Sequence, residues 1–179
     1  MKNALAVYSP KPALNGRNLT DAAAADGIYL RILALGGFLM ADPTNFLKKS
    51  LATVSGGGLL VVGFFPGDDE AIVEFDRLVE AGDRLTIAKQ LNAGTYAWCE
   101  LYTARFDYDK TVNSRPQDQA KLEGSVPKAK LPTLKSAKTR YIIFNQARRK
   151  NGQLLMTNLA DSLANLTQGI VAEHQKPSR

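Results

Sequence analysis

The sequence predicts an α+β fold that is mainly β: a sheet-rich core with one flanking helix at about 68–81, a C-terminal helix and extended arms. Three stretches carry that prediction. "LLVVGFFPGDDEAIVEFDRLVEAGDRLTI", Leu59 to Ile87, reads as strand, tight turn, amphipathic helix, glycine stop and strand. "TYAWCELYTARFDYD" puts Tyr96, Trp98, Tyr102, Phe106 and Tyr108 in one even-numbered phase, the period of one face of a strand. Leu155, Leu159, Leu163, Leu166 and Ile170 recur at spacings of three and four, the period of a helix.

Taken in order, residues 1–19 read as an irregular N-terminal arm, because Pro10, Pro12 and Gly16 interrupt short apolar pieces. "TDAAAADG", Thr20 to Gly27, fits a short helix or a loop. "IYLRILAL" reads as a strand, with Gly36 and Gly37 marking a bulge before "FLMA". Asp42 and Pro43 signal the start of a short helix that "SGGG", Ser55 to Gly58, would end. "LLVVGFF" is continuous rather than alternating in its apolar character, as expected of a strand buried on both sides.

Pro66 and Gly67 then supply a turn, and Asp68, Asp69 and Glu70 sit at the positive end of the following helix. Ala71, Ile72, Phe75, Leu78 and Val79 share one face of that helix, and Gly82 stops it. "RLTIAKQL" reads as an alternating strand and "NAG", Asn92 to Gly94, as a hairpin turn. After the long aromatic strand, "QAKLEGSV" reads as another strand, following a loop at Arg115-Pro116. "PKAKLPTLKSAK", Pro127 to Lys138, reads as an extended linker, and Tyr141 to Gln146 as a strand running into a basic turn. The resulting division is an arm at 1–19, a β-rich core at 20–126, and a basic linker, strand and helix at 127–179.

Composition narrows the function classes. The N-terminus has no continuous apolar run before a small-residue cleavage site, so a secretory signal is not expected. "GIYLRILALGGFLMA" contains Arg31 and is too short to cross a bilayer, so the reading is a soluble protein without a membrane partner. Cys99 is the one cysteine and His174 the one histidine; together they offer neither a disulfide nor a zinc site, and no metal or cofactor is expected. Gly56 to Gly58 lack the lysine and hydroxyl residue of a phosphate-binding loop. No residue set supports an enzymatic reaction.

The charge is segregated. Residues 1–110 carry 11 Lys/Arg against 13 Asp/Glu, whereas residues 121–150 carry 9 against a single acid, Glu123, within an overall formal charge of +6. Lys128, Lys130, Lys135, Lys138, Arg140, Arg148, Arg149 and Lys150, with Tyr141 and Phe144 interleaved, are therefore candidate contacts for a neighbouring subunit or for nucleic acid. The segment also fits a solvated linker. Asp68, Asp69 and Glu70 are the candidate acidic docking partners for such an arm, although acids at a helix N-terminus are expected on dipole grounds alone.

The order of elements from Leu59 to about Lys128 resembles the major tail-tube proteins of long-tailed bacteriophages. The pieces that carry the resemblance are "LLVVGFFPGDDEAIVEFDRLVEAGDRLTI", "NAGT", "YAWCELYTARFD" and "KLEGSVP". The resemblance implies a β-sandwich or barrel with one flanking helix. It implies a structural, non-enzymatic virion subunit, assembled in the host cytoplasm into stacked homo-oligomeric rings around a DNA channel. Its partners would be copies of itself, other virion proteins and DNA contacted without sequence preference. A small basic nucleic-acid-binding protein using residues 121–150 is the alternative.

Overall fold

The computed structural model describes residues 4–11, 16–34, 39–40, 58–145 and 150–174. Among these residues seven strands form one sheet: β1 (Ala4–Ser9), β2 (Tyr29–Ala34), β3 (Leu39–Met40), β4 (Leu59–Phe64), β5 (Ala97–Arg105), β6 (Thr139–Asn145) and β7 (Ile170–Glu173). Their order is β3-β2-β4-β5-β6-β1-β7, and every neighbouring pair is antiparallel. The α+β class holds, but among the described residues helix exceeds strand, so the chain is not mainly β as expected. The described strands, however, form a single open sheet with helices against both faces, not the expected sandwich or barrel.

One face carries the largest core. Odd residues of β1, β4, β5 and β6 and even residues of β2 point to it, among them Leu5, Val7, Leu30, Ile32, Val61, Cys99, Leu101, Tyr141 and Ile143. Among the described residues two helices cover this face, α1 (Gly16–Ala25) and α7 (Lys150–Thr167). Leu155, Leu159 and Leu163 are fully buried there, so the leucine spacing read from the sequence does mark the inward stripe of a helix. Ile170 belongs to β7 instead. The helix ends at Thr167, and Gln168 adopts a φ of 54°, a left-handed conformation that turns the chain back along β1.

The opposite face is covered at its two ends. Near β2 and β4 lie α2 (Asp69–Glu80) and α3 (Arg84–Asn92), packed on Leu33, Leu60, Val62 and Phe64. Phe64, Phe75 and Tyr96 meet edge-to-face, with ring centroids 5.4–5.5 Å apart. Arg31 on β2 grips Asp76 on α2 through both carboxylate oxygens, at 2.8 and 3.0 Å. Near β1 and β7 lie α4 (Tyr108–Ser114), α5 (Pro116–Gly124) and α6 (Leu131–Ser136), whose Leu122 and Leu134 pack on Ala6, Tyr8 and Ile170. Coverage of both faces explains why all six residues of β4 are buried and why its sequence is uniformly apolar.

Several local expectations are corrected. Residues 84–92 are a helix, not a strand: Asp83 accepts from the Thr86 amide (3.1 Å) and hydroxyl (2.8 Å), and Ile87 and Leu91, four apart, are the buried pair. Leu85, which an alternating strand would bury with Ile87, is 68% exposed. The thread "NAG" therefore closes a helix rather than a hairpin, with Gly94 at φ 70°. Residues 116–124 are likewise helical, started by Pro116 and buried at Gln119 and Leu122.

The expected linker at 127–138 folds into a 3-10 turn, Lys128–Lys130, and α6, where Pro132 occupies the first turn and Leu134 is fully buried. The expected N-terminal arm contains β1, buried between β6 and β7. One sheet thus takes strands from all three of the expected parts. Two pieces of the tail-tube-like order, 84–87 and 121–127, lack the strands expected of them. The expected bulge at Gly36-Gly37, the short helix after Asp42 and the basic turn at 147–149 lie outside the described residues.

Candidate functional site

The sheet register gathers cations at one end of β5 and β6. Arg105 closes β5 opposite Thr139, and Ala104 faces Arg140, which in turn faces Tyr8 on β1. Beyond the strands the pairing continues: the Phe106 amide donates to the Lys138 carbonyl (2.9 Å) and the Lys138 amide to the Ser9 carbonyl (3.0 Å). The chain then turns into α4, where Asp107 accepts from the Lys110 amide (3.1 Å). Arg105, Lys110, Lys138 and Arg140 consequently surround a recess of about 560 Å³, completed by Phe106, Asp107 and Ser114. Its described lining residues include four cationic residues and one carboxylate, Asp107.

Arg140 is the deepest of these groups. Its Nε is buried and makes no hydrogen bond, a condition that costs a buried donor about 1–3 kcal/mol. Burial pushes the neighbouring Tyr8 hydroxyl above its usual range, while the charge of Arg140 and a hydrogen bond from it pull the other way. Outside the recess, Lys135 lies over the Tyr108 ring at 5.9 Å. The Tyr108 hydroxyl donates to Glu123, holding that carboxyl below its usual range with help from Gln119 and Lys135.

The remaining predicted contacts scatter. Lys128 and Lys130 are exposed on the 3-10 turn and Lys135 on α6. Phe144 is half-buried on the second sheet face, edge-on to Tyr102 (5.8 Å) and His174 (5.4 Å). Lys150 begins α7, and Arg148 and Arg149 lie outside the described residues. Asp69 and Glu70 are exposed in the first turn of α2, as the dipole argument expects. Asp68 instead closes the preceding turn by accepting from the Phe65 amide at 2.8 Å.

Tyr141 cannot be a contact residue, since it is fully buried on the α7 side of the sheet. Burial raises its hydroxyl to about 12, and that hydroxyl makes no hydrogen bond. Tyr141→Phe should therefore leave stability unchanged or raise it by up to about 1 kcal/mol, measured by urea unfolding. A loss larger than that would mean the hydroxyl is held by a partner in solution.

Arg105 and Lys110 were missed by sequence reasoning. They sit in the net-acidic part of the chain, and only the β5–β6 register carries them to Lys138 and Arg140. Cys99 is buried beneath α7, with its thiol pushed up to about 12 by desolvation, so the described surroundings do not activate it. Among the described residues, no three His, Cys, Asp or Glu side chains form a metal-binding group, and no helix is long and apolar enough to cross a membrane.

No family model, curated protein or solved structure matches this chain. Its functional reading rests on its own residues.

Proposed function

We propose that this chain is a non-enzymatic structural subunit that assembles with copies of itself through the borders of its sheet. The observation that carries this reading is the outer side of β7. That strand pairs with β1 along one side, and among the described residues no strand lies along the other. A shallow groove of about 320 Å³, lined by Leu5, Ser125, Val171, Ala172 and Glu173, follows the same border. Unpaired strand edges are templates for another chain, and assembly satisfies them.

Among the described residues the two borders differ, β3 at one and β7 at the other. Joining unlike borders is a head-to-tail contact, which closes into a ring when the rotation between subunits permits. A tail-tube protein of a phage-like virion, with rings around a DNA channel and other virion proteins as neighbours, is the specific form of the proposal. Its support is the motif resemblance at 59–64, 69–80 and 97–105, where strand, helix and strand occur in that order. The alternative use of residues 121–150 as an extended basic track has less support, because the end of α5, the 3-10 turn, α6 and β6 fold most of that segment into the domain.

Purified full-length protein should elute as a large assembly by light scattering, with rings or tubes visible by negative-stain electron microscopy. Amides of residues 170–173 should exchange more slowly as concentration rises. A chain that stays strictly monomeric at high concentration overturns the reading.

A further inference from the structure

We infer that the recess at the end of β5 and β6 is a binding site for a phosphate group. Three features converge on that chemistry. Arg105 and Lys110 come from one stretch of the chain and Lys138 and Arg140 from another, and the β5–β6 pairing brings the two together, with Asp107 the one acid among the described lining residues. Like charges gathered in one concavity repel one another, and an anion seated between them reverses the sign of that interaction. The Nε of Arg140 is a buried donor without an acceptor, and a guanidinium presents its donors in the planar fork that phosphate oxygens fit.

Size and lining narrow the ligand further. About 560 Å³ falls within the range of small-molecule sites and accommodates a mononucleotide-sized ester. Phe106 supplies an apolar wall, and the Ser114 hydroxyl, which donates to the Lys110 carbonyl (2.7 Å), retains lone pairs for a donor on the ligand. The recess is bounded by α4 and the β5–β6 strand ends. It lies on the β5–β6 side of the sheet, whereas the proposed assembly border is β7, so the two proposals stand or fall separately.

Isothermal titration of the full-length protein with inorganic phosphate, adenosine monophosphate and a ten-nucleotide single-stranded DNA tests the site. Binding of phosphate or the mononucleotide identifies a free phosphate or phosphate monoester as its occupant; binding of the oligonucleotide alone identifies backbone phosphates. For whichever probe binds, Lys138→Gln and Arg140→Gln should each weaken it about tenfold or more. The slope of log K against log salt for the oligonucleotide should fall by about one unit per cation removed.

Lys138 is exposed at its side chain, so Lys138→Gln leaves the fold intact and keeps the test valid even where Arg140→Gln destabilises the chain. Lys128→Gln removes the same unit of charge from the 3-10 turn and should leave affinity within twofold. Absence of binding to all three probes overturns the inference. So does an equal loss in Lys128→Gln and Lys138→Gln, which would trace binding to net charge rather than to the recess.

Discussion

Leu159→Ala is expected to lower the unfolding free energy by about 2–5 kcal/mol, with a matching fall in the urea midpoint. Leu159 is fully buried in the middle of α7, between Leu155 and Leu163 on the same stripe. Helix α7 packs across β1, β5 and β6, so its stripe joins the N-terminal strand to the centre of the sheet. Truncation there removes apolar contact and leaves a cavity whose walls belong to several strands, which limits relaxation. Leu154, five residues earlier, is 52% exposed, and Leu154→Ala should change stability by no more than about 0.5 kcal/mol. Equal effects in the two variants would show that α7 does not pack as described.

The contrast between those two leucines also shows what the sequence makes legible. Helices α2 and α7 are readable because their apolar residues recur at helical spacing and bury one stripe. The signal lies within the element itself. Strands β2, β4 and β5 are readable for the same kind of reason, being runs of large apolar and aromatic residues bounded by glycine or proline. Strand β1 is different. Its partners, β6 and β7, lie 130 or more residues away, and six residues beside two prolines carry no local mark of that pairing.

Helices α3 and α6 failed for a related reason. In "RLTIAKQL" the alternation of Leu85 and Ile87 competes with the four-residue spacing of Ile87 and Leu91. The choice is made by Asp83, whose carboxylate takes the Thr86 amide and hydroxyl, and by the surface that Leu91 finds on the sheet. In "PKAKLPTLKSAK" the prolines fit an extended chain or a helix start equally well, and burial of Leu134 against the β1 end decides for the helix. The recess shows the same limit. Lys138 and Arg140 were visible as part of a basic segment, but Arg105 and Lys110 join them only through strand register and the turn into α4. Charge counted along the chain does not report charge gathered in space.

A second large effect is expected where α7 turns into β7. A side chain on Gly169 would place its Cβ 2.6 Å from the Tyr8 carbonyl oxygen, 2.8 Å from the Ser9 hydroxyl and 3.0 Å from the Thr167 hydroxyl. The first of these neighbours is backbone of a strand held on both sides, so it cannot swing away. The other two are bonded to each other at 2.6 Å, and Thr167 also donates to the Leu163 carbonyl at 2.7 Å. Gly169→Ala should therefore destabilise the chain by about 1–3 kcal/mol through overpacking. Because β7 is the strand next to the displaced atoms, amides of residues 170–173 should lose exchange protection first, and any assembly built on that border should weaken with them. Gly124, at the end of α5, has open space where a Cβ would sit and no left-handed φ. Gly124→Ala should accordingly be neutral or stabilising by up to about 1 kcal/mol. A Gly169→Ala protein as stable as the parent would mean that the approach of this turn to β1 is looser than described, and the β7 border would then be a poor foundation for self-assembly.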